Sequence, residues 1–223
     1  LAIGGGLAQA GFHAISYNYR GIAGSTAPYE DITLHDQADD VWAIADAFEA
    51  EAAHLVGKTY GNRVMRAAAS DHPERTLTVS LVGAGGEIMP SQETQDAYRR
   101  YLDPATSKEE WARLQGELNY APGNEHLAPV AVELGSWPDV ANAQALASQA
   151  TPPEEWLGGG VAPMLVMVGL NDLVAVPENG LRIAESRPST WLIGLANCGH
   201  SMTDEQPESI LTFLTMFLNQ RSL

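Results

Sequence analysis

The sequence predicts a mostly parallel, doubly wound α/β sheet that carries one helical insertion. Three observations predict it. Five short apolar runs recur along the chain, helical patterns lie between them, and the alternation breaks only once, over residues 87–157. Runs that are apolar on consecutive positions suit parallel strands covered on both faces. Strand–helix alternation is what crossover-linked parallel strands require.

The first run is residues 12–17 (FHAISY). Thr33-Leu34-His35-Asp36 then reads as a capping box, with Thr33 as N-cap and Asp36 three residues on. The helix it opens carries Ala38, Val41, Ala45 and Phe48 on one face. Residues 53–56 (AHLV) are the second run, followed by a helix from about Gly61 that ends before His72-Pro73. Residues 77–83 (LTVSLVG), 164–168 (MLVMV) and 191–195 (WLIGL) complete the strands. The last helix runs from about Pro207 to Asn219 and buries Ile210, Phe213, Leu214 and Phe217. Pro207 suits a first helical turn, where its missing N–H costs nothing. The insertion holds no strand pattern but has helical patterns at 92–102, 108–118 and 138–149, separated by prolines. Gly158-Gly159-Gly160 reads as a flexible return to the sheet.

Composition narrows the function. A chain of 223 residues is one domain, or one domain with an insertion. Twelve Lys and Arg against 28 Asp and Glu give a net charge of −16. Such a chain repels phosphate backbones and anionic lipid, so a nucleic-acid partner is not expected. No apolar run reaches the ~18 residues of a transmembrane helix. The single cysteine, Cys198, excludes an internal disulfide and a cysteine-built zinc site. No metal and no cofactor are expected, and the expected partner is a small-molecule substrate or ligand. A homodimer is compatible with the sequence. One cysteine and no visible signal peptide favour the cytoplasm, although the chain opens at Leu1 rather than at a methionine.

Three stretches can carry chemistry. Gly57-Lys58-Thr59-Tyr60-Gly61 joins a strand to a helix. Glycines two residues either side of a hydroxyl let the chain turn sharply and place the hydroxyl at the tip, near the positive end of the helix dipole. The same stretch also reads as an ordinary strand-to-helix turn with a threonine N-cap. Asp172 lies three residues beyond Gly169, which ends the 164–168 run. The carboxyl edge of such a sheet is where ligands bind, yet an aspartate there also serves as a turn residue. His200, in Asn197-Cys198-Gly199-His200-Ser201, follows the last strand and can face the same edge of the sheet; a lone histidine there is more often a surface or capping residue. The remaining histidines, at 13, 35, 54, 72 and 126, read as structural.

Hydroxyl, then Asp, then His, each after a strand, is the chain order of one known triad. On these residues the sequence resembles the α/β-hydrolase superfamily over nearly its whole length. Tyr19-Arg20-Gly21, residues 24–28 (GSTAP) and residues 71–75 (DHPER) belong to the same resemblance. The resemblance implies a core of residues 1–86 and 158–223 under a helical cap of residues 87–157. It implies Thr59 as nucleophile, His200 as general base and Asp172 as the group that orients the imidazole. The Tyr60 N–H becomes an oxyanion-hole donor, Gly57 and Gly61 the elbow glycines, and Trp111, Trp137 and Trp156 candidate pocket-lining residues.

Two features depart from the family pattern. Threonine stands where the elbow residue is held at positive φ, a steric outlier for a β-branched side chain. Its methyl group also restricts χ1 and crowds an incoming carbonyl. The family further places an interior strand ahead of the helix read here near Gly6, and residues 1–5 are too short for it, so a segment ahead of Leu1 is expected. The leading expectation is therefore an ester or acyl-bond hydrolase. A non-catalytic ligand-binding member of the same fold is the alternative. A lyase or cofactor-free oxygenase using His200 and Asp172 as a base pair ranks third.

Overall fold

The computed structural model describes residues 2–26, 28–128 and 138–220. Among these residues, four strands form one parallel sheet in chain order: β1 (Ala53–Lys58), β2 (Thr76–Val82), β3 (Met164–Gly169) and β4 (Thr190–Leu195). One row of the sheet runs Gly57, Leu81, Val166, Leu192 from edge to edge. The helices are α1 (Ala2–Gln9), α2 (Leu34–Ala47), α3 (Gly61–Asp71), α4 (Gln92–Leu102), α5 (Lys108–Asn119), α6 (Pro138–Ala150), α7 (Pro153–Trp156), α8 (Pro177–Ser186), α9 (Met202–Glu205) and α10 (Pro207–Asn219).

Strand periodicity assigns the two faces. Leu55, Val79, Leu81, Met164, Val166 and Val168 join one buried cluster with α2 and α3, whereas Val82, Leu165, Met167 and Leu195 join another with α1, α9 and α10. Successive β3 residues thus alternate between clusters, as a strand covered on both faces must. Fully buried Phe217 and Leu214 anchor α10, each contributing about 1.5–3 kcal/mol by removal from water. The capping box of α2 is complete: Thr33 N–H donates to Asp36 Oδ2 at 2.8 Å, and the Asp36 N–H donates to Thr33 Oγ1 at 3.3 Å.

Residues 12–17 correct one expectation, since they form no strand and pair with nothing in the sheet. Phe12 and Ala14 pack on one cluster, and Tyr17, with Tyr19 just beyond, on the other. Apolar alternation secures burial on two faces, but a strand also needs a hydrogen-bonding neighbour, and none of the described residues supplies one. The first helix likewise starts at Ala2 rather than near Gly6. Gly160 is less a flexible return than a close approach. It sits at φ +65, and any Cβ there would run into the Ala69 carbonyl of α3. No strand falls within the described part of 87–157.

His35 knits three helices together: Nδ1 lies 2.8 Å from Asp71 at the end of α3, and Nε2 lies 2.8 Å from Glu155 on α7. Hydrogen bonds to Asp71 and Glu155 raise its pKa. A raised folded pKa stabilises fully below the unfolded value and fades as pH rises through the folded one. His35→Gln is therefore expected to lower the melting temperature more at pH 5.5 than at pH 8.5. An equal loss at both, read by thermal unfolding, contradicts the assignment.

Candidate active site

Because the strands are parallel, the residues after β1, β2, β3 and β4 share one sheet edge. These are Thr59, Gly83, Asp172 and His200. Thr59 is the tip of a tight turn with φ +55, a value β-branched residues avoid. Gly57 makes the turn feasible, since a Cβ there would lie 2.5 Å from the Gly61 carbonyl oxygen and 2.8 Å from the Asn62 nitrogen. The turn is also pinned to β2. Thr59 N–H donates to Val82 O at 3.1 Å, and the buried Asn62 side chain donates to Val82 O at 3.0 Å and Gly83 O at 2.9 Å. Asn62, which ties the turn to the end of β2, has no motif signal of its own in the sequence. Only its place directly after Gly61 could have drawn attention to it. Lys58 does not reach the turn's tip; its Nζ donates to Thr203 Oγ1 at 2.8 Å.

His200 and Asp172 are brought together. His200 Nδ1 stands 2.8 Å from Asp172 Oδ2, with the imidazole 8% and the carboxylate 0% exposed. Asp172 Oδ1 accepts the Val174 and Ala175 N–H groups at 2.8 and 2.7 Å. The carboxylate is therefore fully engaged, and the ring nitrogen facing it must be the protonated one. Two contacts show how far the histidine travels. Its loop crosses the end of β3, where Asn171 N–H donates to Cys198 O at 2.9 Å. The ring then lies over the end of β2, since a Cβ on Gly83 would sit 3.7 Å from His200 Nδ1 and 3.7 Å from Asp172 Oδ2. Thr59 stands one strand further on. His200 Nε2 is buried without a hydrogen-bond partner among the described residues, and no hydrogen bond joins it to Thr59.

Tyr60 opens α3, and its N–H donates to no described residue. Its ring packs edge-on to Tyr19 and its hydroxyl donates to Gln37 Oε1 at 2.7 Å; burial pushes that hydroxyl's pKa up to about 12. Cys198, buried within the histidine loop, has its thiol pKa raised to about 12, by desolvation first. Trp156 is buried, with the guanidinium groups of Arg63 and Arg66 5.2 and 5.0 Å from its ring centroid. Trp111 stacks on Tyr101 at 5.2 Å within the α4–α5 pair. Trp137 lies outside the described residues. A cavity of about 970 Å³ opens between residues 29–33 and α6, and one of about 400 Å³ lies on the outer side of Asp172, bounded by Tyr120 and Leu173. Neither is lined by Trp111 or Trp156. Among the described residues, no group of three or more His, Cys, Asp or Glu could hold a metal ion, and no helix is long and apolar enough to cross a membrane.

A strand-borne elbow, an aspartate and a histidine in this order define the class, and the comparisons agree. The family model of the alpha/beta hydrolase fold matches residues 3–103. The putative carbamate hydrolase RutD of Variovorax paradoxus (strain S110) is 30% identical over 207 residues, covering 88% of this chain and 77% of that protein. This chain belongs to the alpha/beta hydrolase fold family. It is also similar to the rhodomycin D methylesterase DauP of Streptomyces sp. (strain C5), 27% identical across 88% of this chain and 78% of that protein. Among solved structures, the esterase RhEst1 from Rhodococcus sp. ECU1013 shares the fold with a TM-score of 0.75 and 24% identity, covering 97% of this chain and 84% of that one.

Proposed function

We propose that the chain hydrolyses a carboxylic ester or a related acyl bond through Thr59, His200 and Asp172. One observation carries the reading: a buried His200–Asp172 bond whose outward nitrogen is unpartnered, one strand away from a hydroxyl held at φ +55. The names of the relatives, a methylesterase and a carbamate hydrolase, support the reaction class.

The chemistry follows from the atoms present. Asp172 keeps the proton on His200 Nδ1, which leaves Nε2 as the base. Nε2 takes the Thr59 hydroxyl proton as Oγ1 attacks the acyl carbon. The carbonyl oxygen becomes an oxyanion, and the Tyr60 N–H and the N-terminal end of α3 stabilise it. Collapse breaks the bond to the leaving alcohol, which takes the proton from Nε2. Water, deprotonated by the same nitrogen, then attacks the acyl-threonine; collapse breaks the Oγ1–acyl bond, releases the carboxylic acid, and Oγ1 takes the proton back from Nε2. Residues 87–157 serve in this reading as the cap that shapes the substrate site.

A second reading, a ligand-binding member without turnover, draws on the absence of a Thr59–His200 hydrogen bond and on the β-branch at the elbow. Apo catalytic contacts are often long and tighten with substrate, which favours the first reading. A p-nitrophenyl acyl ester series separates the two. Thr59→Ala is expected to lose about 10³-fold or more in turnover. Thr59→Ser, which only removes the methyl that crowds the tip, is expected to keep or raise activity on small esters. Unchanged turnover in Thr59→Ala contradicts the first reading.

A further inference from the structure

His200 is carried by β4 and must act three strands away, so its long loop needs a brace close to the imidazole. The core supplies bonds ahead of it, from the Leu170 and Asn171 N–H groups to Leu195 O and Cys198 O. The bonds on the two residues flanking His200 come from elsewhere. Gly199 N–H donates to Glu205 Oε1 at 2.7 Å, and Ser201 N–H donates to Asn119 O at 2.7 Å.

Glu205, on the short helix α9, shares its carboxylate between two parts of the chain. Oε1 takes Gly199, while Oε2 accepts the Ala121 N–H and the Asn124 Nδ2, both at 2.8 Å. Asn124 Nδ2 also donates to Asn197 O at 3.1 Å. Residues 119–124 leave α5 and so belong to the helical insertion. They press on the histidine loop so closely that a Cβ on Gly199 would lie 2.7 Å from the Tyr120 carbonyl carbon. Hydrogen bonds to an ionised carboxylate are about twice as strong as neutral ones, and here three of them converge on a single side chain.

We propose that Glu205 is a positioning residue that fixes the His200 imidazole by clamping Gly199 onto residues 121–124, so that the base is held in place while the helical insertion is docked. The proposal rests on the reading of His200 as the base. Misplacing a catalytic group by about 1 Å costs on the order of 10²-fold, so a brace one residue from the imidazole acts on turnover more than on binding.

The test measures p-nitrophenyl acetate hydrolysis, thermal unfolding and the low-field proton resonance of His200 Nδ1–H, assigned by its loss in His200→Ala. Glu205→Ala removes both acceptor oxygens. It is expected to lower kcat ~10-fold or more with KM within about 2-fold, and to broaden or abolish the resonance. Glu205→Gln keeps one acceptor and turns an NH₂ toward a donor, so an intermediate loss is expected. Asn124→Ala removes one donor to Glu205 Oε2 and the bond to Asn197 O but leaves the Gly199 bond, and is expected to shift kcat and the resonance in the same direction, by less. A Glu205→Ala variant with kcat within 2-fold of the unmodified protein and an unchanged resonance overturns the proposal. So does a loss expressed in KM alone. If Glu205→Ala does not fold, unchanged kcat and resonance in Glu205→Gln and Asn124→Ala overturn it. If His200→Ala hydrolyses the ester at the unmodified rate, the reading of His200 as base fails, and the resonance alone decides on the clamp.

Discussion

Asp172→Asn is expected to lower ester turnover by about 10⁴-fold and to leave the fold intact. The asparagine carbonyl can still accept the two amides that Oδ1 now holds, from Val174 and Ala175, so the loop after β3 keeps its shape. The other arm becomes an NH₂ group, which donates. It faces His200 Nδ1 across what is now a 2.8 Å bond, so Nδ1 must accept and the proton moves to Nε2. The imidazole then presents an N–H toward Thr59 where a base is needed. The effect belongs in kcat with near-native thermal unfolding. Turnover within 10-fold of the unmodified rate would remove Asp172 from the site.

Gly57→Ala is expected to cost about 3 kcal/mol or more, or ~6–12 °C in Tm for a chain of this size, together with most of the activity. The cost comes from backbone and cannot be relieved by a rotamer change. The added Cβ meets the Gly61 carbonyl oxygen at 2.5 Å, its carbon at 2.7 Å and the Asn62 nitrogen at 2.8 Å. To make room, the turn must open. That pulls Asn62 off Val82 and Gly83 and moves Thr59 and the Tyr60 N–H away from the sheet edge. An unchanged melting curve in Gly57→Ala would contradict the close-packed elbow.

The sequence made visible whatever depends on local pattern. Pro207–Asn219 and Gln92–Leu102 were legible to the residue, because a first-turn proline and a helical apolar face are local signals. The inner strands β2 and β3 were legible because burial on both faces demands consecutive apolar residues, and the half-buried edge strands β1 and β4 because each keeps a short apolar run. Helix α8 was not, since Asn179-Gly180 is a turn signal that tertiary packing overrides. There, Gly180 lets the helix approach Val168 on β3, and Asn179 bonds both the N–H and the carbonyl of Ile88. Helix α1 reads from the sequence only from about Gly6, because three glycines dilute the helical signal of a helix that starts at Ala2; one of them packs against Leu211 of α10.

The candidate site divides the same way. Thr59, Asp172 and His200 could be chosen because each follows a strand, and strand ends of a parallel sheet meet at one edge. Asn62 and Glu205 could not. Their partners, Val82 and Gly83 for one and Gly199, Ala121 and Asn124 for the other, are set by how β1 packs on β2 and how the insertion returns to the histidine loop. Trp156 depends on tertiary packing in the same way. A tryptophan in a helical insertion suggests a pocket wall, but two arginines of α3 cover its ring.

Nucleophilic catalysis by Thr59 requires a covalent acyl intermediate on its Oγ1. Rapid quenching of the protein with a p-nitrophenyl ester, followed by mass spectrometry of the intact chain and its peptides, measures this directly. One acyl group per chain is expected, mapped to Thr59, formed with a stoichiometric burst of p-nitrophenol and absent from Thr59→Ala. Ester turnover without an adduct at Thr59, or an equal burst from Thr59→Ala, would contradict it.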